Sequence, residues 1–240
     1  IDSIPNGQGH RTVVAQIVAD EMGVKPSEVE VYSDRDTFGG IWSITSGNYA
    51  NRFSTTVCSA VAMSARKAAA KLRAAAAQAL DVPPERIELS NGLASAPGST
   101  RNEPIPIRRL AAQLHWDSTN LPLGVDGAIT EVAEFSPATL SVPDAGDRMR
   151  SSLTYSFQCD IAAVEVEPDT GRVYIRRYVV FHDAGALLNP AVVDGHPPVA
   201  DGRRGNGQDP GGPMDDHPHT TGRAAVTRRS TARAPPGRAR

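Results

Sequence analysis

The chain of 240 residues is poor in cysteine and in aromatic side chains. Its two cysteines are too few for a four-cysteine zinc or iron–sulfur site. Cys58 and Cys159 could form one disulfide, but we favour two buried, reduced thiols of a cytoplasmic protein. Because aromatic residues make up only 5 % of the chain, its core must be built from Val, Ile, Leu and Ala.

The sequence also has no apolar run of membrane-spanning length and no pattern of a secretory signal peptide. We therefore expect no membrane partner and a cytoplasmic location. The chain begins at Ile1 rather than Met, directly before a glycine-rich motif, which we interpret as the mark of a piece of a longer protein.

Charge is distributed unevenly along the chain. Residues 196–240 contain eight Arg, no Lys and four Asp, and they lack Leu, Ile, Phe, Tyr and Trp. Such a segment cannot bury enough apolar surface to offset its chain entropy, so we predict a disordered tail. It could be a nucleic-acid-binding arm or a natural linker. We favour an out-of-frame translation of a GC-rich gene, and therefore no nucleic-acid partner.

Hydrophobic periodicity predicts helices at residues 11–22 and 54–80, with Gly23 ending the first and Ser54 capping the second. A third, short helix is predicted at residues 107–114. Strands are predicted at residues 29–33, 87–89 and 129–135. Residues 155–166 and 173–181 form the clearest hairpin, because residues 167–171 (EPDTG) have the composition of a turn.

Residues 24–31 and 82–89 resemble each other, since each follows a helix, contains proline and leads into a strand. The sequence thus predicts an α+β fold with helices packed on a mainly antiparallel sheet and a duplicated helix–turn–strand unit. We expect one domain over residues 1–195, followed by the disordered tail over residues 196–240.

Two glycine-containing turns precede the two long helices. The first is residues 7–12 (GQGHRT), and the second is residues 47–54 (GNYANRFS). Glycine permits close backbone approach to a ligand, and the free N–H groups at a helix start favour anions. Taken singly, each turn is also explained as a flexible helix entry, with Ser54 serving as the cap.

In combination, these turns resemble the molybdopterin-binding large subunit of the xanthine dehydrogenase, aldehyde oxidase and carbon monoxide dehydrogenase family. That family has a Gly-Gln-Gly turn, a second turn of the type Gly-x-Tyr-Gly-Ser-Arg-x-Ser, and a later His-Asp-x-Gly-x-x-x-Asn-Pro pattern, which is matched here by residues 182–190. The resemblance covers residues 1–195. It departs from the family pattern at Ala50 and Asn51, where Gly-Ser is common.

The resemblance implies a molybdenum–molybdopterin cofactor, in its cytosine dinucleotide form, and hydroxylation of an aldehyde or N-heterocycle with oxygen from water. Gln8 would lie against the molybdenum oxo group, and the second turn would wrap the pterin. The implied cofactor-binding residues are Gln8, Gly9, Asn51, Arg52, Phe53 and Ser54. Iron–sulfur and FAD subunits would complete a hetero-oligomer.

No residue of this chain is predicted as catalytic or as a metal ligand. The general base of the family is a Glu in a Gly-Glu-Gly turn, and this sequence contains no such turn. We therefore expect the chain alone to be inactive. A non-catalytic α+β fragment that binds another subunit is the alternative. Trp42 and Tyr49 could line a substrate funnel or fix the loop, and adjacent His182 and Asp183 favour a structural role at a strand end.

Overall fold

The computed structural model describes residues 1–33, 49, 51–98, 103–117 and 119–195, together with the backbone of Ala225–Val226. The chain divides into two compact units, Ile1–Thr154 and Tyr155–Arg240. Among the helices so described, none has the length and apolar character needed to traverse a bilayer.

The first two long helices end in the same way. Helix α1 (His10–Met22) ends at Gly23 and helix α2 (Cys58–Leu80) ends at Asp81, both of which have left-handed backbones. In each case the N–H of the terminating residue and the N–H of the residue after it donate to the same carbonyl, that of Ala19 in α1 and that of Ala77 in α2. A short 3₁₀ turn follows each end, at Pro26–Glu28 and Pro84–Arg86. The repeated helix and turn predicted from sequence are therefore present, and Gly23 ends α1 as expected.

Helix α2 does not begin with a Ser54 cap. A π-helical turn, Phe53–Val57, precedes it and leads directly into Cys58. The Ser54 hydroxyl donates to the carbonyl of Asn51 at 3.1 Å instead of accepting from the helix N–H groups. The prediction of Ser54 as the N-cap is therefore wrong, because the wider π turn carries Ser54 inside the helical segment.

A small antiparallel sheet lies in the same unit. Strands β1 (Glu88–Ser90), β2 (Leu93–Ser95) and β3 (Ile105–Pro106) pair in that order. Asn91 and Gly92 form the turn between β1 and β2, and both have positive φ, as a two-residue hairpin requires. Helix α3 (Ile107–Trp116) follows β3 directly and confirms the third predicted helix.

The main core joins α2, α3 and this sheet. Leu72, Leu110 and Leu114 are almost fully buried there, with Ile87 and Ala94 from the sheet side. Small alanines on α2, including Ala69 and Ala76, are completely buried. The low aromatic content thus leads to a core of Leu, Ile and Ala, as the composition predicts.

Two of the predicted strands are absent from their positions. Residues 29–33 pair with no strand among the described residues, and the Tyr32 carbonyl accepts a hydrogen bond from the Ile1 nitrogen at 2.8 Å. Residues 129–135 instead lie along α2, where Ser64 and Lys67 donate to the carbonyls of Glu131 and Val132. Strand-like sequence is not sufficient without a neighbouring strand, so both predictions are wrong.

The second unit contains the predicted hairpin. Strands β4 (Phe157–Val166) and β5 (Val173–Asp183) pair antiparallel, with an irregularity in register beside Ala163. The turn is closed by the Gly171 N–H donating to the Glu167 carbonyl at 2.9 Å. A short helix α4 (Pro190–Gly195) follows, and β6 (Ala225–Val226) pairs parallel with the end of β5.

Together these elements confirm the α+β class. The rest of the predicted tail, Trp42, and Gly47, Asn48 and Ala50 of the second turn lie outside the described residues. Both cysteines are free, and Cys58 is buried as expected, but Cys159 is exposed. The prediction of two buried thiols is therefore wrong for Cys159, because the hairpin strand that carries it is open to solvent along its length.

Candidate functional site

Helices α1 and α2 run side by side in the same direction, so that both of their N-termini lie together. At the start of α1, the His10 ring stacks on Phe53, the first residue of the π turn before α2. Towards the other end of α1, Glu21 accepts a hydrogen bond from Arg66 of α2 at 2.8 Å. Since the positive ends of both helix dipoles meet, this end favours an anionic ligand.

The first glycine turn opens this end of α1. Gly7 and Gly9 have φ of +90° and +73°, a left-handed conformation that glycine adopts without strain. The side-chain oxygen of Gln8 accepts from the Asn6 N–H at 2.5 Å. This hydrogen bond uses the side-chain oxygen of Gln8, and the side-chain NH₂ group of Gln8 takes no part in it.

The second turn is shaped by Asn51. Its φ of +54° is left-handed, which asparagine tolerates better than most residues. Its carbonyl accepts from the hydroxyls of Ser54 and Thr55, at 3.1 and 3.0 Å, and its side-chain amide donates to the Thr154 carbonyl at 3.2 Å. Asn51 therefore joins the start of the π turn to a segment about a hundred residues away.

Two contacts bring the turns together into what we call the polar junction, defined by Asp2, Ser3, His10, Ser33, Arg52 and Phe53. Arg52 pairs with Asp2 at 2.5 Å, and both side chains are largely buried. The rings of His10 and Phe53 are 3.6 Å apart between centroids and nearly parallel, at 7°.

The interior of the polar junction is made of small polar groups. Ser3, His10 and Ser33 are each at most 2 % exposed. Ser3 Oγ lies 3.5 Å from His10 Nδ1, and Ser33 Oγ accepts from Arg11 Nε at 3.0 Å. A buried polar cluster of this kind costs stability unless its groups are paired, and each of these three side chains has a polar neighbour here.

Burial also sets the charge state of His10. Removal from water lowers the pKa of its imidazole, although a hydrogen bond that the ring donates to the Ser3 backbone carbonyl acts in the opposite direction. His10 is therefore neutral at pH 7, which suits a ring stacked face to face on Phe53. The fixed charges that the structure places at the polar junction are then Asp2 and Arg52, which neutralise each other, and Arg11 beside Ser33.

Comparison with known proteins shows the family of the chain. Residues 1–197 match the family model of the molybdopterin cofactor-binding domain. The chain belongs to this family.

The similar proteins are all longer than this molybdopterin-binding chain. It is 27 % identical to the carbon monoxide dehydrogenase large chain of Hydrogenophaga pseudoflava over 80 % of its own length and 22 % of that protein. It is 31 % identical to the nicotine 6-hydroxylase large subunit of Paenarthrobacter nicotinovorans over 79 % of its length and 21 % of that protein. The chain thus spans about a fifth of these relatives.

Solved structures show the same fold. Quinoline 2-oxidoreductase from Pseudomonas putida 86 matches 80 % of the chain with a TM-score of 0.59 and 23 % identity. The Cu,Mo-CO dehydrogenase matches with the same TM-score and 24 % identity. Each alignment covers 22 % of the longer chain.

The polar groups of the two turns beside the polar junction fit a molybdopterin. This cofactor is an anionic, heterocyclic ligand, so it needs N–H donors for its phosphate and neutral donors and acceptors for its ring system. Two helix N-termini offer the first, and the Gln8 amide and the hydroxyl of Ser54 offer the second. A Cβ built on Gly7 would meet no other atom, so the backbone is open there.

Other candidate residues lie elsewhere or have local roles. Tyr49 is more than half exposed. Asp183 accepts from the Gly185 N–H at 3.0 Å, which is a turn contact, and it faces away from His182 on the strand. Sequence reasoning assigned no role to Asp2, Ser3 or Ser33, and nothing near them in the sequence indicates that Asp2 pairs with Arg52, that Ser3 approaches His10 or that Ser33 contacts Arg11. Asn91–Gly92 is different, since this dipeptide is itself a hairpin signal that the prediction overlooked.

Proposed function

We propose that residues 1–195 form one side of the molybdopterin site in the large subunit of a molybdenum hydroxylase. The observation that carries this proposal is the meeting of the first turn with Arg52 and Phe53 of the second turn at two parallel helix starts, joined by the His10–Phe53 stack and the Asp2–Arg52 pair. The membership of the chain in the molybdopterin-binding family supports it. When bound, the cofactor supplies the redox centre at which an aldehyde or N-heterocycle gains an oxygen derived from water.

In this proposal the two turns bind different parts of the cofactor. The Gln8 amide donates towards the molybdenum end of the cofactor, and the Gly9 backbone allows close approach. The second turn, comprising Asn51, Arg52, Phe53 and Ser54, follows the pterin. The positive dipole ends at the starts of α1 and of the π turn before α2 hold the phosphate, because they attract anions.

The same proposal limits what this chain does by itself. It contains no Gly-Glu-Gly turn, so it lacks the general base implied by the family resemblance. We infer that it is inactive without further polypeptide. The cofactor is proposed to be the cytosine dinucleotide form, with iron–sulfur and FAD subunits as partners in a cytoplasmic complex.

The test is to produce the chain in a host that makes the cytosine dinucleotide form of molybdopterin. Molybdenum would be measured by mass spectrometry, and pterin by fluorescence after oxidation. We expect about one of each per chain, without dye-linked oxidation of aldehydes or N-heterocycles. Purified chain without pterin would count against the binding proposal, and turnover would contradict the proposed inactivity.

A second candidate function is a non-catalytic fragment that binds another polypeptide, and the hairpin favours it. Strand register places Phe157, Ile161 and Phe181 on one face of β4–β5. The opposite face carries four further apolar residues, Val164, Val166, Val173 and Ile175. All seven are about half exposed or more. Apolar residues on both faces are typical of a strand pair covered on both sides.

The two candidates differ in what they predict for a dye that fluoresces on apolar surfaces. A binding fragment that retains no pterin and binds this dye strongly would support the second function. Retention of pterin supports the first, whatever the dye signal, since an exposed hairpin in the second unit does not prevent binding at the polar junction.

A further inference from the structure

We propose that Asp2 and Arg52 are positioning residues: their ion pair fixes the Gly-Gln-Gly turn against the second turn, and Arg52 does not itself carry the anionic cofactor. This inference rests on the proposed function of the polar junction. It assigns a role to Asp2, which no sequence motif singled out, and it changes the role expected for Arg52 from cofactor contact to internal support.

The geometry encloses the first turn between two anchors. Asp2 lies before residues 7–9 and His10 directly after them, and these two anchors contact consecutive residues of the second turn, Arg52 and Phe53. The segment from Asp2 to His10 is therefore a closed loop whose ends are held at one place. Gln8 lies inside that loop, so its location depends on both contacts.

Arg52 is also held through its backbone. Its N–H donates to the Tyr49 carbonyl at 3.0 Å, and its own carbonyl accepts from the Thr56 hydroxyl at 2.8 Å. Its guanidinium reaches Asp2 at 2.5 Å, and the two side chains are only 14 % and 16 % exposed. Movement of this side chain would therefore be transmitted to the π turn and, through Asp2, to the first turn.

The pair is poorly suited to binding a phosphate directly. A phosphate that took Arg52 would leave the Asp2 carboxylate largely buried without the cation it pairs with here, next to a second negative charge. The N–H groups at the two helix starts bind an anion without this conflict. Hence the ion pair supports the shape of the site, and the backbone supplies the contacts to the anion.

The decisive experiment is a charge swap. The variants are Asp2→Arg, Arg52→Asp and the double variant, each made in the whole chain in the cofactor-producing host. Asp2→Asn is included as a milder change in case a reversed charge prevents folding. The matched control exchanges the residues of the Glu21–Arg66 ion pair. This pair joins α1 to α2 far from the polar junction and is more exposed than the Asp2–Arg52 pair.

Three readouts are compared: the thermal midpoint, the backbone amide resonances of Gly7 and Gly9 in the cofactor-free protein, and pterin retained per chain. For each single variant, we expect the midpoint to fall by about 6–20 °C, as expected when one partner of a buried ion pair is removed from a unit of this size. We also expect the glycine resonances to move and the retained pterin to fall roughly tenfold, since loss of a supporting group around a cofactor commonly weakens binding by about that factor. We expect the double variant to recover more than half of each loss. The control swap should leave the glycine resonances in place.

Two results would overturn the inference. If the double variant regains stability and resonances but not pterin, Arg52 contacts the cofactor directly. If single variants leave the glycine resonances unmoved, the pair does not position the first turn. A wild-type chain without pterin would instead contradict the proposed function, and the resonances and thermal midpoints would still decide the positioning role.

Discussion

The end of α1 offers the sharpest test of how the fold holds the polar junction in place. Gly23 has φ of +66°, and its carbonyl accepts from the Gly92 N–H at 2.7 Å. A Cβ at this position would overlap the Leu89 carbonyl group and lie 2.7 Å from the Ser90 nitrogen. Because these are backbone atoms, Gly23→Ala must move α1 away from β1.

The expected cost is the sum of two physical terms. A left-handed backbone costs a residue with a Cβ roughly 1–2 kcal/mol relative to glycine. Forcing a methyl group into a filled space costs a further ~1–3 kcal/mol. We therefore expect Gly23→Ala to lower the free energy of unfolding by about 2–5 kcal/mol.

Asp81 provides a matched control, because it ends α2 with the same left-handed backbone and the same hydrogen bonds. It already carries a Cβ, so Asp81→Ala creates no new overlap. We expect its cost to stay below ~1 kcal/mol, as is usual for an exposed surface change.

Urea unfolding of the whole chain, followed by circular dichroism, measures both variants. With a slope of ~1–3 kcal/mol per molar urea, Gly23→Ala should lower the midpoint by about 1 M or more. The Asp81→Ala midpoint should remain close to that of the wild type. Equal shifts in the two variants would refute the reasoning, since they would show that contact between α1 and β1 adds nothing to the backbone penalty.

Three further predictions follow from burial. Leu110→Ala should cost ~2–5 kcal/mol in urea unfolding because Leu110 is fully buried, whereas Leu123→Ala at an exposed position should cost almost nothing. Iodoacetamide should modify exposed Cys159 rapidly and Cys58 only after unfolding, since burial raises the pKa of Cys58 to about 12; equal labelling rates in mass spectrometry would contradict this. The free energy of unfolding should fall as the pH drops below 6.5, because His10 takes up a proton more readily in the unfolded chain than in the folded one, where burial lowers its pKa. His10→Phe should reduce this pH dependence in thermal melts.

What the sequence predicts well is local. Helices α1, α2 and α3 follow from apolar periodicity, and the β4–β5 hairpin follows from turn residues between two β-prone runs. Strands β2 and β3 were missed because they have only three and two residues, too few for a periodic pattern. Residues 29–33 and 129–135 have the composition of strands, but the described residues provide no strand to pair with either, and residues 129–135 lie along a helix instead.

In the candidate site, too, the local motifs can be predicted from the sequence and the long-range contacts cannot. Both glycine turns could be recognised because each is a short, contiguous motif before a helix. The partners of Arg52 and Phe53 could not, because Asp2 and His10 lie more than forty residues earlier in the chain. Only the side-by-side, parallel packing of α1 and α2 brings them together, and no local pattern specifies that packing.

The fixed ends of these helices connect the fold to the site. The Gly23 end of α1 is bound to the β1–β2 turn. With that end fixed, α1 cannot slide along α2, so its start must remain beside Phe53. A shift of even 1.5 Å, the rise of one helical residue, would separate the His10 and Phe53 rings and draw Asp2 away from Arg52. The repeated helix ends are therefore part of the reason that the two turns meet, although they lie at the far end of α1.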